Sequence, residues 1–97
     1  MAKGYWINSF RKVNDQAKVD AYRQLAGRVM ESNGAKFLVR GDPAKVYEAG
    51  LMMRTVVIEF PSVEAAIAAH DSPGYQAALK ALGDGAERDL RIVEGME

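Results

Sequence analysis

The segment from Arg54 to Tyr75 constrains the fold more than any other part of the chain. It opens with a run rich in β-branched residues, Thr-Val-Val-Ile, and the run ends at Pro61. Proline has no N–H to donate to a sheet, so a strand ends here, and Ser62 is a preferred N-cap for a following helix. A second Ser-Pro pair at positions 72 and 73 caps and restarts that helix. The segment therefore predicts a strand, a turn and a helix in two halves.

The rest of the chain completes a β-α-β-β-α-β order. An amphipathic helix of about five turns is predicted after the first strand, capped by Asn14 or Asp15 and stopped at Asn33 and Gly34. Residues that favour strands predict four main strands, over residues 3–10, 35–40, 54–60 and 90–94. A short extra strand is predicted over residues 45–48. The 97 residues are thus interpreted as one α+β domain, with a ferredoxin-like four-stranded antiparallel sheet and its helices on one face.

The strands are too apolar for a sheet that is covered on one face only. Val56, Val57 and Ile58 are consecutive, and Leu38-Val39 and Ile92-Val93 repeat the pattern. Consecutive apolar residues are typical of strands that are buried on both faces. Because two helices cover only one face, a second copy of the sheet is the simplest cover for the other. The sequence predicts a homodimer.

Composition excludes several classes of function. Thirteen basic and thirteen acidic residues cancel, without a basic stripe, which argues against a nucleic-acid partner. The chain has no cysteine, so it has neither a disulfide framework nor a thiolate site. It shows no signal-peptide pattern and no apolar run of membrane-spanning length. We therefore expect a soluble cytoplasmic protein without a membrane partner.

Five short motifs, spread in order over nearly the whole chain, carry a family resemblance. They are Gly4-Tyr-Trp, Phe37-Leu-Val-Arg-Gly, Val56-Val-Ile-Glu-Phe-Pro-Ser, Ser72-Pro-x-Tyr-Gln and Ile92-Val-Glu-Gly. With these motifs the chain resembles the domain-of-unknown-function family thirteen-thirty, of the dimeric α/β-barrel superfamily. The resemblance implies two ferredoxin-like sheets packed face to face in a dimeric barrel. Function stays open, because that superfamily includes cofactor-independent oxygenases, muconolactone isomerases, haem-degrading enzymes and ligand-binding domains.

Glu59 is an acid inside an otherwise apolar strand, on the face opposite to Ile58 and Phe60. If those two side chains meet the helices, Glu59 points into the space between the two sheets. A carboxylate buried there needs a partner, and Arg40 and Arg54 are the basic candidates. Two interpretations stay open: a pocket carboxylate that binds or deprotonates a small substrate, and a structural ion pair at the dimer interface.

His70 is the second candidate for catalysis, since the neighbouring Asp71 would orient its ring as a base. Adjacent residues on a helix do not face each other, however, which weakens that interpretation. The haem-degrading relatives carry their axial histidine in the second half-helix, and residues 72–82 contain none. No cluster of metal-ligating residues is visible either. The sequence predicts neither haem, nor a metal, nor another cofactor.

The candidate ligand-binding residues are Asn8, Arg40, Arg54, Glu59 and Tyr75. An asparagine on the first strand occurs at the active site of some oxygenase relatives, and the Tyr75 hydroxyl is expected to reach a pocket. Two functions remain open. One is a small-molecule pocket between sheet and helices, with or without weak cofactor-independent enzymatic activity. The other is a non-catalytic binding or assembly module whose apolar sheet face serves only dimerisation.

Overall fold

The computed structural model describes residues 2–96 and has the element order β-α-β-β-α-α-β. All strand pairs are antiparallel, and the order in the sheet is β2-β3-β1-β4. The predicted ferredoxin-like arrangement is therefore confirmed. The elements are β1 (Gly4–Val13), α1 (Gln16–Ser32), β2 (Lys36–Gly41), β3 (Thr55–Phe60), α2 (Val63–Asp71), α3 (Pro73–Leu82) and β4 (Ala86–Glu94).

Side-chain caps set the helix boundaries where the sequence predicts them. Asp15 accepts hydrogen bonds from the first-turn backbone of α1, and Ser62 Oγ accepts one from Ala65 N at 3.1 Å. Ser72 Oγ accepts from Tyr75 N at 3.3 Å and donates to the Ala69 carbonyl at 2.7 Å. Because one hydroxyl closes α2 and opens α3, the second helix is divided as predicted.

Two expectations about strands are corrected. β1 continues to Val13 and β4 begins at Ala86, because these two ends pair with each other. The predicted short strand at 45–48 is wrong. That segment forms a turn in which Gly50 N donates to the Tyr47 carbonyl at 2.9 Å, and Glu48 has a φ of 51°. A left-handed residue interrupts the extended backbone that a strand requires.

The core lies between one face of the sheet and the three helices. Alternate residues of the two central strands, Trp6 to Phe10 on β1 and Val56 to Phe60 on β3, are buried there. The helices contribute small and aromatic side chains to the same cluster, namely Val19, Tyr22, Ala26, Met30, Ala66, Ala69, Tyr75, Ala78 and Leu82.

No helix or strand within residues 2–96 covers the opposite face of the sheet. Ile7 and Val57 lie side by side at its centre and are half-buried. Val39 and Val93, on the strands at the two edges, are 48% and 47% exposed. The single chain thus leaves an apolar sheet face open, as the run of consecutive apolar residues predicts. None of the helices in this part of the chain is long and apolar enough to cross a membrane.

Candidate functional site

A cavity of about 510 Å³ lies on the helix side of the sheet, between α1 and strands β1, β3 and β2. The helices pack mainly over β1 and β4, and α1 packs along α3. The β2 edge consequently has little helical cover, and the space beside it stays open. Apolar side chains form most of the walls, from the sheet Trp6, Phe10, Phe37, Val56 and Ile58, and from α1 Tyr22, Ala26 and Met30.

Gly27 widens the cavity on the α1 side. It lies inside the helix and lines the cavity, and a Cβ atom placed on it would meet no other atom within 4 Å. Glycine in a helix interior costs about 1 kcal/mol relative to alanine. The helix therefore carries a locally unfavourable residue at a position where a larger side chain would reduce the open volume.

Asn8 is the one polar side chain buried in the floor of the cavity, and it is only 4% exposed. Its Oδ1 atom is buried, and its amide makes no side-chain hydrogen bond within residues 2–96. A buried polar atom without a partner costs about 1–3 kcal/mol. Asn8 is thus an unused hydrogen-bonding group next to open space.

Three arginines line the same cavity: Arg54 is half-buried, and Arg23 and Arg40 are exposed. Burial, followed by the charges of Arg23 and Arg40, lowers the pKa of Arg54 below its usual value. The Arg40 guanidinium carbon lies 4.8 Å from the centre of the Phe37 ring, so this cation rests on an aromatic wall. The mouth of the cavity is therefore positively charged.

The one carboxylate in the lining is Asp20, which is exposed on α1. Its Oδ1 accepts a hydrogen bond from Gln16 Nε2 at 3.0 Å and lies 3.9 Å from Arg23 Nη1. Neither Arg40 nor Arg54 forms an ion pair in the part of the chain that the structure describes. Two of the three lining arginines thus carry charges without a paired carboxylate.

Tyr75 lies behind the cavity wall, in the core. It is fully buried, its hydroxyl lies 2.7 Å from that of Tyr22, and burial raises its pKa. The Arg88 guanidinium carbon lies 4.5 Å from the centre of the Tyr22 ring, and Nη2 donates to the Tyr75 hydroxyl at 3.5 Å. The structure therefore does not bring the Tyr75 hydroxyl to the cavity, because Tyr22 stands between them and bonds it.

Glu59 lies on the open face of the sheet, on the other side from the cavity. Its side chain is 18% exposed, accepts from Lys3 Nζ at 2.9 Å and accepts from the Tyr5 hydroxyl at 3.3 Å. The hydrogen bond from Lys3 is the main reason why the pKa of Glu59 is below its usual value. The predicted pairing with Arg40 or Arg54 is wrong. Arg40 pairs in register with Val56, so it shares the helix-facing side of the sheet.

His70, in the last turn of α2, is outside the cavity lining as well. Its Nδ1 lies 3.1 Å from Asp71 Oδ1, so these neighbours do meet, contrary to the expectation for adjacent helical residues. The helix ends at Asp71, where side chains are free to turn back. The ring packs against Trp6 and Tyr75, with centroid distances of 5.7 and 5.0 Å. No group of three metal-ligating side chains occurs within residues 2–96.

The structure thus brings together three of the predicted site residues, Asn8, Arg40 and Arg54, and separates them from Glu59, His70 and Tyr75. Sequence analysis missed Arg23 and Gly27, because an arginine on an amphipathic helix is ordinarily expected on its solvent-facing side. In the sequence, Gly27 was the one sign that this side of the helix could border a cavity. An isolated glycine within an amphipathic helix indicates a packing gap or a close approach.

The family described as "Domain of unknown function (DUF1330)" matches residues 3–96. The chain belongs to this family. The resemblance drawn from the five short motifs is therefore confirmed. No match is found among the curated proteins.

Solved structures of unknown or oxygenase function share the fold. A protein of unknown function from Rhodopseudomonas palustris, RPA0582, is 19% identical with a TM-score of 0.75, over 99% of this chain and 84% of that one. A dimeric ferredoxin-like protein of unknown function from Thermobifida fusca is 20% identical with a TM-score of 0.57, over 96% and 91%. SnoaB, a cofactor-independent oxygenase from Streptomyces nogalater, is 15% identical with a TM-score of 0.59, over 100% and 96%. At these identities the likeness shows the fold alone.

Proposed function

We propose that this protein binds a small molecule in the cavity between α1 and the β1–β3–β2 part of the sheet. The observation that carries the proposal is Asn8, whose buried amide oxygen has no partner among residues 2–96 and lies beside a cavity of about 510 Å³. Ligand pockets typically have volumes of roughly 300–1,000 Å³, with mostly apolar walls and a few convergent polar groups. Apolar side chains from α1 and the sheet, together with Asn8 and the lining arginines, give this cavity the same composition.

The lining favours binding without turnover. A general base must lie within hydrogen-bonding reach of the substrate. Of the two catalytic candidates, Glu59 lies across the sheet and His70 lies outside the cavity lining. The remaining carboxylate, Asp20, is exposed and occupied by Gln16 and Arg23. The oxygenase activity of SnoaB belongs to that protein, and the described residues that line the cavity here include neither a buried acid nor a histidine.

A larger side chain at position 27 is expected to fill part of the cavity and to weaken ligand binding without destabilising the protein. Gly27→Leu adds an isobutyl group to open space and improves helix propensity, so the melting temperature should not fall. Ligand-detected NMR with a fragment library of equal numbers of acids, amines and neutral compounds identifies binders. We expect Gly27→Leu to weaken these binders by at least about tenfold, which corresponds to about 1.4 kcal/mol.

Gly27→Ala is the matched control, because it makes the same gain in helix propensity but leaves most of the volume open. It should retain binding. Binders that tolerate leucine at position 27 as well as alanine would bind elsewhere and contradict the proposal. A wild-type protein that binds no fragment of any charge class would contradict it too.

The proposal also includes a cytoplasmic homodimer formed through the open sheet face, without nucleic-acid or membrane partners. Its support is the apolar surface around Ile7 and Val57, which helices leave uncovered. Leu51, in the loop before β3, is also exposed and lies beside Ser9 and Thr55 of this face. The Thermobifida fusca relative is described as dimeric. The balanced charge of the chain supports the absence of nucleic acid.

Within this dimer, Glu59 is expected to act as a structural ion pair. Glu59→Gln should weaken the dimer and leave ligand affinity unchanged, because Glu59 lies on the face away from the cavity. The folded-state pKa of Glu59 is lowered by groups of its own chain, so its contribution to folding stability is present above the ordinary value of 4.5 and is lost as the pH falls through the lowered pKa. Sedimentation measures the dimer, and thermal unfolding at neutral and acidic pH measures the contribution to folding. Equal acid sensitivity of the variant and the wild type, or a loss of ligand binding, would contradict this assignment.

A further inference from the structure

We propose that the ligand is an organic anion with a flat apolar body, whose acid group binds Arg40 and Arg54 and whose far end carries a hydrogen-bonding group for Asn8. This proposal rests on the proposed function, because it names the chemical class that the same cavity accepts. Its three parts come from three separate features of the lining.

The acid group follows from the charges. Three arginines and one aspartate line the cavity, which leaves an excess of two positive charges, three minus one, in a chain whose net charge is zero. The aspartate already contacts Gln16 and Arg23, so Arg40 and Arg54 have no paired carboxylate within residues 2–96. Burial is the main reason why the pKa of Arg54 is lowered, and the nearby charges of Arg23 and Arg40 lower it further, against a smaller opposite effect of Asp42. A bound carboxylate relieves the repulsion and accepts paired hydrogen bonds from guanidinium groups.

The flat apolar body follows from the walls. Val56 lies between Arg40 and Asn8 in the sheet register, and the adjacent positions on the same face present Trp6, Ile58 and Phe37 on one side and Phe10 on the other. Inorganic phosphate or a small acid such as acetate would satisfy the arginines but leave these side chains against water. Aromatic rings bind well against such walls, because they bury large areas and stack with aromatic side chains. The cavity therefore favours an aromatic acid over a small inorganic anion.

The hydrogen-bonding group follows from Asn8. Its carboxamide offers both an acceptor and a donor, and its buried Oδ1 has no partner. A ligand hydroxyl can donate to Oδ1 or accept from the amide nitrogen, so it satisfies Asn8 in either orientation of the amide. An apolar end would leave this group unpaired.

Three related probes test the class: 6-hydroxy-2-naphthoate, its neutral primary amide, and 2-naphthoate without the hydroxyl. Isothermal titration calorimetry at low salt measures each affinity. We expect the hydroxy acid to bind at least about tenfold more tightly than the amide, the size of one charge-assisted hydrogen bond. We expect 2-naphthoate to bind more weakly than the hydroxy acid, and added salt to weaken the two acids but not the amide.

Arginine variants locate the anion. Arg40→Gln and Arg54→Gln should each lower the affinity of the hydroxy acid by about tenfold and leave that of the amide unchanged. Arg28→Gln is the matched control, because Arg28 is exposed on α1 and does not line the cavity. It should change neither affinity. Asn8→Leu should remove the advantage of the hydroxy acid over 2-naphthoate.

Failure of the proposed ligand class and failure of the proposed pocket would give different results. Acid and amide that bind equally, both blocked by Gly27→Leu, would overturn the anion class while the pocket stands. Acid binding that survives both Arg40→Gln and Arg54→Gln would place the anion elsewhere and also overturn the class. If none of the three naphthalene probes binds, this ligand class is rejected, and the fragment screen against Gly27→Leu judges the pocket by itself.

Discussion

Val57→Asp is expected to split the proposed dimer into monomers. Val57 lies at the centre of the open sheet face, next to Ile7 on β1 and Val39 on β2. A carboxylate there would lose its hydration in the dimer without gaining a partner. Because a two-fold interface contains the same residue from both copies, each dimer would bury two such carboxylates. We expect the dissociation constant to rise at least about a hundredfold, which corresponds to about 3 kcal/mol. Light scattering at micromolar concentration should give twice 10.6 kDa for the wild type and 10.6 kDa for the variant.

Ile67→Asp provides the control. Ile67 is 45% exposed on α2, so its replacement also puts a charge in place of a partly exposed aliphatic side chain, but on the helical surface. The dimer should persist in this variant. A wild-type mass near 10.6 kDa at micromolar concentration, or a Val57→Asp dimer as tight as the wild type, would contradict the proposed interface.

Of the substitutions considered, Tyr75→Ala is expected to lower the free energy of unfolding most. The Tyr75 ring is completely buried and meets the Trp6 and Tyr22 rings edge-on, with centroid distances of 5.0 and 5.9 Å. Removing it leaves a cavity among aromatic side chains and deprives the Tyr22 hydroxyl of its partner. Replacing a buried aromatic ring by alanine costs about 3–5 kcal/mol, a large share of the roughly 5–15 kcal/mol that stabilises a small domain. Urea unfolding measures the difference.

Tyr75→Phe separates the ring from the hydroxyl. It keeps the packing against Trp6 and loses the hydrogen bonds that the hydroxyl makes with Tyr22 and Arg88, so its cost should be about 1–3 kcal/mol. Its ligand affinity should equal that of the wild type, because Tyr75 does not line the cavity. A phenylalanine variant of normal stability that fails to bind ligand would give the hydroxyl the pocket role that sequence analysis expected.

The two faces of this sheet therefore have separate roles in our proposals. The open face holds Glu59 with Lys3 and Tyr5, and there we propose association between copies. The covered face holds Asn8, Arg40 and Arg54 around the cavity, and there we propose ligand binding. Because side chains alternate along a strand, one strand contributes to both faces. On β3, Val56 faces the helices and Val57 lies on the open face.

Local chemistry was sufficient to predict the elements and their ends. Pro61 ends β3, Ser62 and Ser72 cap α2 and α3, and Asp15 caps α1, because each of these effects acts over a few residues of chain. The alternation of Ile58 and Phe60 with Glu59 was also sufficient to place the carboxylate on the face away from the helices. The exceptions were the 45–48 segment, where the left-handed Glu48 turns the chain, and the ends of β1 and β4, which are longer than predicted because they pair with each other.

Only the tertiary structure decided which side chains meet. The partner of Glu59 depends on strand register, and a one-residue irregularity between Phe37 and Val39 in β2 suffices to put Arg40 on the helix side. Lys3 reaches Glu59 instead, from a residue 56 positions away in the chain. The cavity depends on how α1 lies over the sheet, which brings Arg23 and Gly27 opposite Asn8. Local sequence determines where strands and helices form, but distances between them depend on the packing of the whole chain.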